Sequence, residues 1–275
     1  KTSVITQKIA YLIKQCGIPG RNIAAVTFTN KASREMKERV SKLVSGPEAR
    51  GLTVSTFHNL GLNIIKSEHK ALGYKPGFSI FDSEDAKALI RDLMMKEGDE
   101  NTDRINQLQM EISNWKNAML TPEEAIQQAK TPDDLMLANV YATYRRYLKA
   151  YNALDFDDLI LQPVLLFKHH PESLSKWRQK IRYLLVDEYQ DTNMAQYELV
   201  RQLVGDRDSL TVVGDDDQSI YAWRGARPEN LAKLETDFPS LKLVKLEQNY
   251  RSTSLILRAA NQLIANNPHK FDKAL

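Results

Sequence analysis

Short apolar runs rich in β-branched residues alternate with helical patterns along this chain, and this alternation limits the folds open to it. Four or five runs have the character of buried strands, at residues 23–29, 52–56, 183–186, 210–213 and 243–246. Residues 30–44 carry apolar side chains every three or four positions, which predicts an amphipathic helix, and residues 194–204 are also predicted to be helical. Strands that alternate with helices predict an α/β fold with a parallel sheet.

The middle of the chain, residues 58–168, has a different pattern, in which helical periodicity dominates and convincing strands are absent. Thr121 and Thr131 are each followed by a proline and then by an acid three residues after the threonine, which is typical of a helix N-terminus. Asp82 offers a third helix start. The simplest interpretation is an α-helical domain inserted into an α/β domain.

Composition restricts the class of protein but leaves its function open. The chain is 42% apolar and 27% charged, close to the average for globular proteins, which argues against a disordered or collagen-like chain. The only cysteine, Cys16, cannot form an internal disulfide, and no stretch approaches the roughly 20 apolar residues that cross a bilayer. We therefore expect a cytoplasmic protein without a membrane partner. The net charge of +3 neither requires nor excludes a nucleic acid partner.

Paired acids follow the predicted strand at residues 183–186. Asp187 and Glu188 would emerge at the carboxyl edge of the sheet, where ligands of open parallel sheets bind. One carboxylate can hold Mg²⁺ while its neighbour accepts a proton from an attacking water. For an isolated pair, two acids that solvate a strand end would be the commoner interpretation.

The next strand favours a functional interpretation because it also ends in polar residues. Residues 215–217 are all Asp, and Gln218 follows them with an amide suited to orienting a phosphate or a water. Directly beyond, Tyr221 and Trp223 flank Arg224, a combination that can stack on bases and contact a phosphate. The alternative is that both aromatic residues belong to the core at a helix start.

An aromatic residue and an arginine, Tyr250 and Arg251, follow the last apolar run. An arginine at a strand exit can neutralise charge on a transferred phosphoryl group, although a lone arginine is more often a surface ion-pair partner.

Six segments together carry a resemblance to a known family. They occur in the order and approximate spacing of the superfamily 1 DNA helicases, at Lys1-Thr2 and residues 25–32, 56–61, 186–193, 213–226 and 246–252. The resemblance implies a RecA-like P-loop NTPase sheet, called domain 1A, with an inserted α-helical domain 1B. On this basis residues 1–57 and 169–249 form domain 1A, residues 58–168 form domain 1B, and residues 250–275 begin a second motor domain, 2A.

The family resemblance implies ATP and Mg²⁺ as cofactors. Lys1 and Thr2 resemble the end of a phosphate-binding loop, in which the lysine reaches the phosphates and the threonine binds Mg²⁺. Asp187 is similar to the other magnesium ligand, and Tyr250 to the aromatic residue that packs on adenine. The glycine-rich part of the loop and most of domain 2A are expected outside this sequence, so the chain alone is expected to hydrolyse little ATP.

Three further residues match the family's catalytic positions. Glu188 resembles the general base, Gln218 the residue that links the γ-phosphate to the DNA site, and Arg251 the arginine finger. Residues 155–158 also resemble a family segment, but we expect only helix capping there, because capping is the commoner role of aspartate.

The resemblance also implies contacts with single-stranded DNA, whose bases all offer a face for aromatic stacking. The implied DNA-binding residues are Phe28, Asn30, His58, Tyr221, Trp223 and Arg224. The expected activity is ATP-dependent translocation on single-stranded DNA and unwinding of duplex or forked DNA, in replication or repair. Replication or repair proteins are the expected protein partners, and the expected location is the bacterial cytoplasm, with the nucleoid. Oligomeric state is left open.

Two other functions remain as alternatives. One is a non-motor DNA-binding module on the same fold. The other is a metal-dependent nuclease that uses Asp187, Glu188 and the acids at residues 215–217.

Overall fold

The computed structural model describes residues 1–268 and Phe271. Its strands are β1 (Ile23–Thr27), β2 (Thr53–Thr56), β3 (Ser79–Phe81), β4 (Ala153–Asp155), β5 (Tyr183–Val186) and β6 (Leu210–Val212). Its α-helices are α1 (Thr2–Lys14), α2 (Asn30–Leu43), α3 (Phe57–Glu68), α4 (Ser83–Lys96), α5 (Thr102–Asn117), α6 (Pro122–Gln128), α7 (Pro132–Ala150), α8 (Asp158–His169), α9 (Pro171–Lys180), α10 (Met194–Val204), α11 (Glu229–Asp237) and α12 (Ser254–Ile264).

The main sheet has four parallel strands in the order β2-β1-β5-β6. All five residues of β1 are buried because helices cover both faces of the sheet. Ala24, Val26 and Leu184 belong to a core with α3, α8, α9 and α10, whereas Ala25 and Leu185 pack on the other face with α1 and α2. The predicted α/β class and its parallel sheet are confirmed.

The prediction of a strand at residues 243–246 is wrong. This segment is irregular, and Val244 and Leu246 are 65% and 53% exposed. β-Branched composition gives a strand only where a neighbouring strand accepts its backbone hydrogen bonds. No such neighbour pairs with this run among the residues that the structure describes.

The expectation that strands are absent from residues 58–168 is also wrong. Strands β3 and β4 pair in parallel there, with Ile80 opposite Leu154. Each strand has only three residues, which is too short for a periodic pattern to appear in the sequence.

All three predicted helix starts are confirmed, at α4, α6 and α7. Asp82, Thr121 and Thr131 each accept a hydrogen bond from the backbone N–H three residues later, at 2.9, 3.2 and 3.0 Å. In each case the acid at that later position accepts a bond from the N-cap backbone, which completes a capping box.

A separate apolar core joins α4, α5 and α7, with Ile90, Leu108 and Tyr141 among its buried residues. The α3 and α8 helices come very close at Gly61, where an added Cβ atom would clash with the Leu159 carbonyl oxygen. In the part of the chain that the structure describes, no helix has the length and apolar character needed to span a membrane.

Candidate nucleotide and nucleic-acid site

The carboxyl ends of β1, β5 and β6 meet at one edge of the sheet. Val186 is paired with Val26 on one side and with Val212 on the other. The Asp187 N–H donates to the Val26 carbonyl at 3.0 Å, and the Val213 N–H donates to the Val186 carbonyl at 3.0 Å. Residues that follow these strands are therefore held side by side.

Asp187 lies buried at this edge and contacts the first helix. Its side chain accepts a hydrogen bond from the Thr2 hydroxyl at 3.5 Å and one from the Glu188 N–H at 2.9 Å. Burial raises the pKa of Asp187, and the Glu188 charge raises it further, whereas the hydrogen bond from the Glu188 N–H and the Lys1 charge oppose the shift. A hydroxyl beside a carboxylate is a set of hard oxygen donors, so Thr2 and Asp187 fit Mg²⁺.

Glu188 occupies a left-handed backbone conformation, with φ 48° and ψ 49°. Such a conformation is uncommon outside glycine and costs on the order of 1–3 kcal/mol, so the surrounding contacts must hold it in place. One of these contacts is a hydrogen bond of 2.7 Å from the Gln190 side-chain amide to Glu188 Oε2.

Gln190 connects the ends of β5 and β6. It is buried, and its Oε1 accepts a hydrogen bond of 3.1 Å from the Asp215 N–H while its amide nitrogen binds Glu188. Sequence reasoning did not single out this residue. The feature in the sequence that could have marked it was an amide side chain three residues beyond Asp187, in a polar turn that follows a buried strand.

The Asp215 carboxylate contacts two residues that the sequence predicts at the nucleotide site. The Lys1 Nζ lies 3.4 Å from Asp215 Oδ2, and the Gln218 amide donates to the same oxygen at 2.7 Å. Carboxylate oxygens of Asp215, Asp216 and Asp217 lie within 4.8 Å of one another. The structure thus brings Lys1 and Gln218 together through an acid that lies beyond β6.

Asp191 is a further acid at this edge that sequence reasoning did not select. Its Oδ1 is buried and has no hydrogen-bond partner among the described residues. Burial, together with the Glu188 charge, raises the pKa of Asp191 to about 6, and Lys1 acts against that rise.

A cleft of about 810 Å³ opens beside the acids. Its lining includes Asp187, Glu188 and most of the predicted DNA-binding residues. The DNA-binding residues on the lining are Phe28, His58, Tyr221, Trp223 and Arg224. The Arg224 guanidinium lies 4.5 Å from the centre of the Trp223 ring and 5.5 Å from that of Tyr221. Trp223 is 66% exposed, which shows that it is not a core aromatic residue.

Asn30 does not line this cleft. It is exposed at the start of α2, next to Thr29, whose side chain caps that helix by accepting the Ala32 N–H at 3.1 Å.

His58 and Phe156 form another aromatic pair on the lining of the cleft. Their rings meet edge to face, with centroids 6.3 Å apart. Burial lowers the pKa of His58, which favours the neutral imidazole at pH 7. Phe156 is 51% exposed, although sequence reasoning expected only helix capping from residues 155–158. The missed signal was an aromatic residue between acids, which has no obvious place in a core.

Helix α5 supplies polar, uncharged side chains to the cleft, another feature that sequence reasoning missed. The lining residues recur every three or four positions and so share one helix face. The polar ones are Asn106, Gln109, Ser113, Asn114 and Asn117, and the apolar Met110 and Ile112 also line the cleft. Amide and hydroxyl groups can hydrogen-bond to base edges and to phosphates.

Tyr250 and Arg251 do not line the cleft. Tyr250 is 91% exposed, and the Arg251 N–H donates to Asn249 Oδ1 at 2.8 Å. Their roles as adenine-packing residue and arginine finger stay predictions.

Comparison with known proteins identifies the family of this chain. The family described as UvrD/REP helicase N-terminal domain matches residues 1–239. The ATP-dependent DNA helicase Rep of Escherichia coli is 59% identical over all 275 residues of the chain, which cover 41% of that protein. Rep of Buchnera aphidicola subsp. Acyrthosiphon pisum is 50% identical over 275 residues, 100% of the chain and 43% of that protein.

A differently named helicase is also similar. The ATP-dependent DNA helicase PcrA of Staphylococcus aureus is 45% identical over 276 residues, 100% of the chain and 38% of that protein. The chain thus spans about two fifths of the length of these curated relatives. The predicted resemblance is confirmed, and the chain belongs to the UvrD/REP helicase N-terminal domain family.

Proposed function

We propose that this chain is the nucleotide-binding and DNA-binding part of an ATP-dependent helicase that moves on single-stranded DNA and unwinds forked DNA in replication or repair. The observation that carries the proposal is that Asp187 and Glu188 line the same cleft as the stacked Trp223 and Arg224. Acids suited to ATP hydrolysis and a surface suited to bases are therefore adjacent.

The proposed domains follow the sequence boundaries. Residues 1–57 and 169–249 form the RecA-like domain 1A, and residues 58–168, which include the separate apolar core of α4, α5 and α7, form the inserted domain 1B. Residues 250–275 begin domain 2A, although residues 269, 270 and 272–275 lie outside the described part of the chain.

Lys1, Thr2 and Asp187 would hold the phosphates of ATP and Mg²⁺, with Tyr250 packing on the adenine. Bound Mg²⁺ would neutralise charge on the phosphate oxygens. In this account Glu188 accepts a proton from the attacking water. Support comes from its hydrogen bond to Gln190, which fixes the carboxylate at the edge of the cleft.

Gln218 and Arg251 would complete the catalytic set. Gln218 bonds to Asp215, which also contacts Lys1, so Gln218 lies near the residue expected to reach the phosphates. Arg251 would neutralise charge on the transferred phosphoryl group once ATP is bound.

Phe28, Asn30, His58, Tyr221, Trp223 and Arg224 would contact single-stranded DNA. Stacking on exposed rings accepts any base, as movement along arbitrary sequence requires. Gln190 bonds to Glu188 and to Asp215, the third residue after β6, and the chain reaches Tyr221 six residues after Asp215. This short path connects the proposed general base with the proposed DNA-binding residues, and it could couple ATP hydrolysis to DNA affinity. The bacterial cytoplasm, at the nucleoid, is the proposed location.

Binding of a fluorescently labelled single-stranded oligonucleotide tests the DNA site on this chain. Trp223→Ala should weaken binding roughly five- to 150-fold, the equivalent of about 1–3 kcal/mol of base stacking. Tyr11→Ala is the matched control, because Tyr11 is a 52% exposed aromatic residue on α1 that does not line the cleft. Equal affinity of the Trp223→Ala variant and the unmodified chain would contradict the proposal.

The two alternatives give different outcomes in a full-length protein that contains this chain. DNA binding that is independent of nucleotide and unchanged by Asp187→Ala would favour a non-motor binding module. Cleavage of DNA with Mg²⁺ and without ATP would favour a nuclease.

A further inference from the structure

A buried ion cluster connects α5 to the start of α8. Lys116 is 2% exposed, and its Nζ lies 2.7 Å from Asp155 Oδ2 and 3.0 Å from Asp158 Oδ1. The Tyr144 hydroxyl donates to the same Asp155 oxygen at 2.8 Å. One ammonium group therefore bridges two buried carboxylates, and a phenol completes the hydrogen bonding.

The two carboxylates also close the turn at residues 155–158. The Asp158 N–H donates to Asp155 Oδ1 at 2.9 Å, and the Asp155 N–H donates to Asp158 Oδ2 at 3.2 Å. The Asp155 side chain thus accepts an N–H of the first turn of α8, whereas Asp157, the N-cap residue of that helix, makes no capping hydrogen bond. Phe156 lies within this turn, between the two residues that Lys116 bridges.

The charges in the cluster depend on one another. Burial opposes the charged form of Lys116, but Asp155 and Asp158 outweigh burial and raise its pKa well above the ordinary value. Burial also opposes the charge of Asp155, yet Lys116 outweighs it and lowers the pKa of that carboxyl. Loss of the lysine would leave uncompensated buried carboxylates, which is strongly unfavourable.

The ammonium group of Lys116 is buried and cannot contact a DNA phosphate directly. Any effect of Lys116 on DNA binding must therefore act through the residues that its ion pairs hold in place. One of these is the turn with Phe156, whose ring lines the cleft and meets His58 edge to face. The residue that follows Lys116, Asn117, also lines the cleft. The ion cluster thus connects two sides of the cleft, one formed by α5 and the other by the turn that contains Phe156.

We infer that Lys116 is a positioning residue for single-stranded DNA, which locks the turn at residues 155–158 and thereby holds Phe156 in place beside His58. This inference rests on the proposed function of the cleft.

A double-mutant cycle on single-stranded DNA affinity, in a full-length protein that contains this chain, tests the inference. Phe156→Ala and Lys116→Met should each weaken binding, Phe156→Ala by roughly five- to 150-fold if its ring stacks on a base. If Lys116 acts through Phe156, the double variant should bind about as weakly as Phe156→Ala alone. Lys116→Met combined with Trp223→Ala should instead multiply the two losses, because Trp223 lies outside the cluster.

Tyr144→Phe is a milder variant, in case Lys116→Met fails to fold. It removes one hydrogen bond to Asp155 and keeps both ion pairs, so a smaller loss of affinity is expected, and this loss should vanish in the Phe156→Ala background. Tyr141→Phe is the matched control. Its hydroxyl donates to the Leu120 carbonyl at 3.0 Å in the same helical core, without contact to the turn, and DNA affinity should stay unchanged.

Three outcomes would overturn the inference. In the first, the loss of DNA affinity from Tyr144→Phe, or from a folded Lys116→Met variant, multiplies with the loss from Phe156→Ala. The ion cluster would then affect DNA binding through residues other than Phe156. Phe156→Ala could leave affinity unchanged while Trp223→Ala weakens it, which removes the inference but keeps the proposed DNA site. If neither aromatic substitution changes affinity, both the inference and the proposed function fail.

Discussion

The side-chain amide of Gln190 donates a 2.7 Å hydrogen bond to Glu188 Oε2. The other end of the same amide accepts the Asp215 N–H, so the proposed general base is oriented from the loop that follows β6. Any change in the distance between the ends of β5 and β6 would therefore alter the position of the base.

Gln190→Leu should lower DNA-stimulated ATP turnover by at least about tenfold in a full-length protein that contains this chain. General bases contribute about 10²–10⁴-fold to catalysis, and a misplaced base loses part of this. The KM for ATP should change little, since Gln190 is not among the residues proposed to hold ATP. Steady-state kinetics measures both quantities.

Gln202→Leu is the matched control for this substitution. Its amide donates to the Val164 carbonyl at 3.0 Å in the core, away from the acids, so turnover should be retained. Unchanged turnover in Gln190→Leu would show that Glu188 does not need this hydrogen bond.

Asp157→Asn should raise the melting temperature more at pH 8 than at pH 5. Burial, and next the Asp155 charge, raise the pKa of Asp157 to about 7, above its ordinary value. The folded state therefore favours the protonated form, and the stability that this gives at low pH is lost as the pH rises through 7. Asparagine stays neutral and avoids that loss.

Thermal unfolding at the two pH values checks this prediction. Asp103→Asn is a suitable control, because Asp103 is an exposed acid in the first turn of α5. An equal shift of the Asp157→Asn melting temperature at both pH values would contradict the assignment.

Gly61→Ala should destabilise the fold by roughly 3 kcal/mol, near the upper end of typical overpacking costs. The added methyl group would meet the Leu159 carbonyl, so α3 and α8 would have to move apart. Chemical denaturation measures the free energy of unfolding. Ser67→Ala, on an exposed position of the same helix, should change it by less than about 0.5 kcal/mol. A Gly61→Ala variant as stable as Ser67→Ala would exclude this close helix contact.

The sequence was informative where structure is local or where a motif is continuous. The capping boxes at Asp82, Thr121 and Thr131 follow from residues three apart, and the four strands of the main sheet follow from short runs rich in β-branched residues. The acids after β5 and β6 could be placed at one edge because parallel strands end together.

What the sequence did not show depends on contacts between distant residues. Lys116 reaches Asp155 across 39 positions, and Gln190 reaches Asp215 across 25, so no local pattern marks either pair. Phe156 belongs to the cleft only because the turn at residues 155–158 is packed against α5. The run at residues 243–246 had strand composition, but strand formation also requires a partner that the sequence does not specify.

Hydrolysis and binding of ATP by Glu188→Gln, in a full-length protein that contains this chain, test the central claim most directly. The amide keeps the size of the side chain but cannot accept the proton of the attacking water. DNA-stimulated hydrolysis should fall by about 10²-fold or more, while ATP binding, measured with a fluorescent ATP analogue, stays within a few-fold. Turnover near that of the unmodified protein would contradict the assignment of Glu188 as the general base of an ATP-driven motor.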